Sequence, residues 1–407
     1  MELGPVFRAL VYNRARFWLI TVEVALTLAI VVNCVNLTFD LRHKVLRPSG
    51  IDEPNIVVVT LEPFTHAYED ATYLHAARAR DLEMLRHFPG VRAATAISAI
   101  PLSDGGSSSG RKAEGAKGDT LGTPYFDVSD GAIAALGVKL IAGRDFQPGE
   151  YHDYHDAEGE EHDRPAIVTQ KLADAFYPAG NALGKRVTDG DNKTTDVIVG
   201  IIATMHNSWP QSQSVEGRVM LLPGEPEDKR YLQYLVRTQP GARKAVLAGV
   251  DDALLKVDSG RIVTHKTLEE IKRGTYGGEL SLMKILSSVV VLLVLVTAFG
   301  IVGLTSFSVS QRRRQIGTRR ALGATRQDIL RYFLLENWLV TGSGLAFGLG
   351  LTWALNYALM KVSEGPKLDW PLLAGGMLLL WVSGLLAALA PALRATRVAP
   401  VVATRTV

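Results

Sequence analysis

A long uncharged segment of this chain ends at a block of arginines. Residues 285–309 contain no Asp, Glu, Lys or Arg, whereas residues 312–326 contain six arginines. As a helix rising 1.5 Å per residue, the uncharged segment is about 37 Å long, enough to cross a ~30 Å hydrocarbon core. Arginine is costly in that core and concentrates on its cytoplasmic side. The sequence therefore predicts a membrane-spanning helix followed by a cytoplasmic turn.

Three further segments have the composition of spanning helices. Residues 17–39 are interrupted only by Glu23, and residues 337–360 and 370–393 carry no charge. With the segment above, assigned to residues 283–309, they predict four transmembrane helices. The alternative for the first is a cleaved signal peptide. Its apolar part is longer than a typical h-region and no Ala-x-Ala site follows it, so we expect a retained helix.

Charges on the flanks of these helices predict their orientation. Residues 1–16 carry three Arg and one acidic residue, residues 309–336 seven Arg and two, and residues 394–407 three Arg and none. The positive-inside rule places both termini and the 310–336 connection in the cytoplasm. Residues 40–282, with 28 Lys and Arg against 35 Asp and Glu, then lie outside, as does a short loop at 361–369. Arginines between two spans are typical of topological anchors, so we expect no nucleic-acid partner.

The outer segment 40–282 reads as an α+β domain in two β-α-β halves, with an inserted β-rich subdomain at about residues 123–215. The pattern of the first half is strand 56–61, helix 73–88 and strand 91–97. That of the second is strands 219–222 and 231–237, helix 242–256 and strand 261–264. Residues 103–122, rich in Gly and Ser, predict a mobile loop, and residues 268–283 a helix leading into the second span.

The sequence offers few residues for redox or nucleotide chemistry. Its single cysteine, Cys34, lies in the first span, so the outer domain must be held by its own core. Residues 180–186 resemble a phosphate-binding loop, but three residues instead of four separate the glycines, and Arg186 replaces the required Ser or Thr. We predict a turn into a strand there. With no nucleotide-binding loop and no hydrolase motif elsewhere, we expect no enzymatic activity and no ATP hydrolysis by the chain itself.

One cluster of potential metal ligands occurs in the outer segment. Residues 151–163 contain His152, His155 and His162 with several aspartates. Their spacing follows no helix or strand period and glycines lie nearby, so the cluster predicts a solvated loop. A weak metal site is the alternative. We expect neither a metal nor another cofactor to be bound by this chain.

Three residues of the spans suggest packing between helices. Glu23 lies one or two turns into the first span, where a carboxylate faces either the lipid headgroups or another helix rather than lipid tails. Gly344 and Gly348 in the third span form a small-xxx-small face, which permits close helix contact.

The arginine block has its own helix signals. Gly323 is a plausible helix terminator, and Thr325 with Asp328 forms a capping-box pattern. These predict a short helix 312–322, a tight turn, and a new helix from Arg326 into the third span. We call residues 310–336 the elbow. The alternative is a loop that is merely basic.

Together these features resemble the MacB/FtsX-type ABC transporter permeases. Residues 312–324 read Arg-Arg-Arg-Gln-Ile-Gly-Thr-Arg-Arg-Ala-Leu-Gly-Ala, which is similar to a specific signature of that family. The chain also matches the family's order of one span, a large outer domain and three spans. Other matching strings lie at residues 135–138, 143–146, 183–185, 199–202 and 391–401.

The resemblance implies a permease subunit that works as a homo- or heterodimer with a separate ABC ATPase, which binds the ATP and Mg. The elbow would be the coupling helix that docks on the ATPase. A periplasmic adaptor and an outer-membrane channel are further partners that the family allows, besides membrane lipid. Because the chain starts about 16 residues before its first span, we expect the ATPase on another chain. The coupling residues implied are Arg312, Arg313, Arg314, Ile316, Gly317, Arg319, Arg320, Ala321, Leu322, Gly323 and Ala324.

Three functions remain open from the sequence. The first is export or extraction of a substrate from the periplasm or outer leaflet, driven mechanically by the ATPase. The second is a signalling subunit that activates a periplasmic enzyme, such as a cell-wall hydrolase, without moving a substrate. The third is a receptor with no ATPase, which leaves the elbow unexplained.

Overall fold

A computed structural model describes residues 14–151, 163–189, 194–226, 230–363 and 365–398. The chain divides into two units: a helical unit, residues 1–46 with 278–407, and an α+β unit, residues 47–277. The predicted fold class is confirmed: four apolar helices long enough to cross a membrane, with an α+β domain between the first and second.

In chain order the helices are α1 Arg14–Leu46, α2 Ala71–His87, α3 Ala132–Leu136, α4 Gln170–Phe176, α5 Arg243–Val257, α6 Leu268–Thr275, α7 Gly277–Gln311, α8 Arg313–Ala321, α9 Arg326–Ser363 and α10 Trp370–Thr396. The strands are β1 Ile56–Pro63, β2 Val91–Ala96, β3 Ser107–Ala113, β4 Leu121–Val128, β5 Leu140–Gly143, β6 Arg164–Thr169, β7 Arg186–Asp189, β8 Thr195–Ile202, β9 Met220–Pro223, β10 Leu232–Thr238 and β11 Arg261–Thr267. The spanning helices are α1, α7, α9 and α10.

The helical unit is built around α1. Ile20, Val24, Leu28 and Val32 recur every four residues on α1 and are at most 1% exposed. This spacing places them along one helix face, which packs in one cluster with residues of the other three spans. The second span α7 is far less covered, and its Phe299 is 70% exposed. The two helices therefore differ in how much of their surface the unit itself buries.

A four-stranded antiparallel sheet forms one part of the α+β unit, with strand order β11-β1-β10-β2. Helices α2 and α5 contribute Leu85 and Leu254, both 0% exposed, to the same core as Val59 of β1. The segments β1-α2-β2 and β10-α5-β11 are the two predicted β-α-β halves. Their strands interleave, because β1 lies between β11 and β10.

The inserted subdomain is a seven-stranded sheet with order β5-β8-β6-β9-β4-β3-β7. Strand β7 also pairs with β8, so six of the strands close into a ring. The buried side chains of Val168, Ile198 and Met220 belong to its core. A second core joins this sheet to the four-stranded one through Ile167, Leu221 and Val58.

Three expectations about the α+β unit are wrong in detail. Residues 103–122 are not a loop throughout, because residues 107–113 form β3, which pairs with β4 and β7. Residues 220–223, expected in the second β-α-β half, form β9 of the seven-stranded sheet, parallel to β4. The helix expected over 268–283 is interrupted at Tyr276, between α6 and α7.

Candidate functional site

The elbow contains the short helix, turn and new helix that its sequence predicts. Helix α8 ends at Ala321, and Gly323 follows with a φ of 98°, which is left-handed backbone that glycine adopts without strain. The Thr325 N–H donates to Asp328 Oδ2 at 2.9 Å, and the Asp328 N–H donates to Thr325 Oγ1 at 3.2 Å. This reciprocal cap fixes where α9 begins.

One side of α8 is packed inside the helical unit. Ile316 is 4% exposed, and it shares a cluster with Phe333 of α9 and Ala392 of α10. Gly317 beside it is buried as well. The elbow is thus seated on the ends of two spans by an apolar contact of its own.

Three of the elbow arginines bind within the helical unit. Arg312 Nη1 lies 3.1 Å from Glu336 Oε2 of α9, and the Glu336 side chain is only 4% exposed. Arg320 Nη1 donates to two main-chain carbonyls at the end of α10, those of Thr396 at 3.0 Å and Val398 at 2.9 Å. Arg319 stacks on the ring of Tyr332, with its guanidinium carbon 5.0 Å from the ring centroid. These contacts hold the elbow in place.

The remaining elbow side chains point outward. We call Arg313, Arg314, Ala321, Leu322 and Arg326 the outward face; all five are exposed, and Leu322 is 83% exposed. Within the described ranges, no side chain pairs with the three arginines of this face. Ala324, the last of the predicted coupling residues, is half-buried against the cluster around Ile316. The structure thus separates arginines that hold the elbow from arginines that are available.

The predicted packing residues lie at contacts of α1. A Cβ added at Gly344 would lie 2.7 Å from Val24 Cβ, and one added at Gly348 would lie 3.0 Å from Ala25 Cα. Glu23 is directed at α7, because a Cβ on Gly300 would lie 2.5 Å from its Oε1. The two glycines therefore allow α9 to approach α1 closely.

The two motifs weighed for chemistry give no site. Residues 180–186 form turns that lead into β7, and Gly184 has a φ of 76°. Most of the His and Asp cluster, residues 152–162, lies outside the described residues, and Asp163 pairs with Arg186. Among the residues that were searched, no three His, Cys, Asp or Glu side chains could hold a metal ion.

Sequence reasoning missed how the arginines divide. Glu336 and Tyr332 lie a few turns along α9, and the carbonyls that accept from Arg320 lie at the far end of the sequence. The only available signal was Glu336 itself, a carboxylate beside the third span, which implies a cationic partner.

Two family descriptions match nearly the whole chain. Residues 18–253 match the MacB-like periplasmic core domain, and residues 287–400 match the FtsX-like permease C-terminal domain. The chain therefore belongs to the MacB/FtsX-type ABC transporter permeases. The four apolar helices together with this family point to the inner membrane.

Individual relatives are distant. The chain is 25% identical over 293 residues to an uncharacterized ABC transporter permease, YknZ, of Bacillus subtilis, covering 68% of each chain. It is 25% identical over 264 residues to the macrolide export ATP-binding/permease protein MacB of Rhodopseudomonas palustris, covering 60% of this chain and 36% of that one. The crystal structure of the periplasmic region of MacB from Actinobacillus actinomycetemcomitans is similar with a TM-score of 0.37 and 12% identity, covering 57% of this chain and 97% of that one. Most of the MacB relatives are therefore much longer than the region that they share with this chain.

Proposed function

We propose that this permease converts ATP hydrolysis by a cytoplasmic ABC ATPase on a separate chain into movement of its α+β unit. That movement drives efflux or extraction of a substrate from the periplasm or the outer leaflet. The observation that carries the proposal is the outward face of the elbow, where an exposed leucine stands among cations on a helix that is held from behind.

The chemistry of the outward face suits a protein groove with an apolar floor and an acidic rim. Full burial of a leucine side chain contributes about 1.5–3 kcal/mol, so covering Leu322 favours a partner. Arginine pairs with carboxylates in fixed geometry, which gives such a contact orientation. The partner proposed here is the ATPase, which binds ATP and Mg.

Force on the outward face would reach the spans because α8 is fixed to them. Arg312 connects it to α9 through Glu336, and Arg320 connects it to the end of α10. Only Arg312 separates α8 from the end of α7. A push on α8 would therefore displace the ends of three spans together rather than bend a loose loop.

A second permease subunit is part of the proposal. The α7 helix presents large apolar side chains that its own unit leaves uncovered, including Leu292 at 61% and Phe299 at 70% exposure. In a membrane, lipid or a second subunit covers such a face. We propose that α7 contributes to a homo- or heterodimer.

Charge reversal tests the docking face. Full-length chain carrying Arg313→Glu and Arg314→Glu, purified from native membranes, should lose at least about tenfold of the co-purifying ATP hydrolysis, since each reversed charge opposes an acidic partner. The control is Arg394→Glu with Arg397→Glu, two exposed arginines at the end of α10. Equal ATPase retention by both double variants would contradict docking at the elbow.

The signalling alternative uses the same elbow and differs in its product. Reconstitution of the subunit with its co-purified ATPase in liposomes would show ATP-dependent substrate movement under the first function. ATP-dependent activation of a cell-wall hydrolase without movement would favour the second.

A further inference from the structure

Two short segments of the α+β unit continue directly into spanning helices. The first connector, residues 47–55, follows α1, and the second connector, residues 268–276, consists of α6 and Tyr276 and precedes α7. Lys272 Nζ lies 2.9 Å from Glu53 Oε1, so the connectors touch each other. Both side chains are less than a fifth exposed, which strengthens this ion pair relative to a surface pair.

The loop between β8 and β9, residues 203–219, binds the first connector. The His206 N–H donates to the Ser49 carbonyl at 2.8 Å, and Glu216 pairs with Arg47. Gly50 has a φ of 78°, and a Cβ there would lie 2.1 Å from the Thr204 carbonyl oxygen. Only glycine permits this approach, so the loop and the first connector are in direct backbone contact.

The same loop binds the second connector. Gln211 Nε2 donates to the Thr275 carbonyl at 2.8 Å, at the last residue of α6. The Tyr276 hydroxyl donates to the Pro210 carbonyl at 3.4 Å, and Tyr276 is 1% exposed. The interruption between α6 and α7 is therefore held by the loop.

Internal contacts make the β8–β9 loop stiff. The Asn207 side chain donates to the Val215 carbonyl at 2.7 Å and accepts from the Trp209 N–H at 2.8 Å, which closes the loop on itself. The Leu102 N–H donates to the Asn207 carbonyl at 3.1 Å, and the Leu102 carbonyl accepts from Thr275 Oγ1 at 2.6 Å. Leu102 has a φ of 66°, a strained value for leucine that these contacts maintain.

From these contacts we infer that the β8–β9 loop fixes the two connectors to each other and to the seven-stranded sheet. Displacement of either connector then moves both, and it also moves β8 and β9, between which the loop runs. The mechanical role of this joint rests on the proposed function. The joint itself does not, and it can be tested without any ATPase.

Hydrogen exchange on the full-length chain in lipid nanodiscs tests the joint. Gly50→Ala forces the loop away from the first connector. Exchange should rise about fivefold or more at the second connector, which Gly50 does not touch, since loss of about 1 kcal/mol of local stability has that effect. Gln211→Ala removes the contact to the second connector, and exchange should rise at residues 47–52. Changes confined to the connector that each variant touches would overturn the inference.

Gly115→Ala is the matched control. Gly115 has a φ of 75°, close to that of Gly50, but a Cβ there meets nothing within 4 Å. It introduces the same backbone strain without a clash, and exchange at both connectors should stay unchanged. If Gly50→Ala does not fold, Gln211→Ala alone decides the question. Transmission between connectors in a chain that recruits no ATPase would uphold the joint and reject the proposed function.

Discussion

The two units of this permease bury polar side chains in different ways. The α+β unit buries charges: Arg261 and Asp81 form a two-pronged pair, and both side chains are 0% exposed. The spanning helices bury mostly neutral groups, such as Asn337, which donates to the Gly384 carbonyl at 3.0 Å. Charges are costly in hydrocarbon, and neutral hydrogen bonds with small residues replace them there. The exception, Arg312 with Glu336, belongs to the elbow.

Loss of one buried charge should have the largest effect on this contrast. Asp81→Ala leaves the Arg261 guanidinium charged and buried, and it should lower the free energy of unfolding of the α+β unit by about 3–5 kcal/mol. Denaturant titration of the full-length chain in detergent, followed by hydrogen exchange in β11, measures this. In the helical unit, Asn337→Ala should cost only about 0.6 kcal/mol. Equal losses would show that both units bury polar groups on the same terms.

Acid should act on the α+β unit through His206. The imidazole is 7% exposed, and burial, together with the charges of Arg47, Lys272 and Lys171, lowers its pKa to about 4, against the opposing charge of Glu53. The folded state thus binds fewer protons than the unfolded state as pH falls from about 6.5 toward 4. Stability should therefore fall by about 2 kcal/mol between pH 7.5 and pH 5.

The His206→Asn variant separates this effect from other titrations. Its unfolding free energy should lose about 2 kcal/mol less over the same pH interval than that of the natural chain. The measurement is hydrogen exchange in β8 at the two pH values, corrected for intrinsic exchange rates. Parallel pH profiles of the two chains would exclude His206 as the sensitive group.

Close packing of small residues gives the next test in the helical unit. Gly344→Val inserts a side chain where Val24 Cβ already lies 2.7 Å from the Cβ position, and overpacking of this kind costs about 1–3 kcal/mol. Gly303→Val on α7 is the matched control, since a Cβ there meets nothing within 4 Å. Unfolding in a detergent titration should shift for Gly344→Val alone. A similar shift for both would mean that helix propensity, not contact with α1, sets the cost.

Local signals were sufficient for much of the fold and for the shape of the elbow. The long uncharged segments predicted the spans, and Gly323 with the Thr325 cap predicted the turn. These features act within a few residues of each other, so one sequence contains all the information. The strands of the two β-α-β halves were equally visible as short apolar runs.

What the sequence did not reveal depends on distant pairing. The Gly- and Ser-rich stretch that forms β3 has weak strand propensity, and it is ordered by β7, more than 70 residues further along the chain. The apolar run of β9 fits either sheet by composition, and only its partners β4 and β6 decide. The same holds for the elbow, where Arg320 and Arg313 look alike until the end of α10 is in place.

The bond from Arg320 to the end of α10 makes the length of the fourth span matter for the elbow. Deleting one helical turn within α10 would withdraw the Thr396 and Val398 carbonyls by about 5.4 Å, beyond the reach of any hydrogen bond. The elbow would then lose its support on that side while every residue of its own remained unchanged. Engineered shortenings of this permease, and reporters fused close behind Val398, should therefore be placed with the elbow in mind.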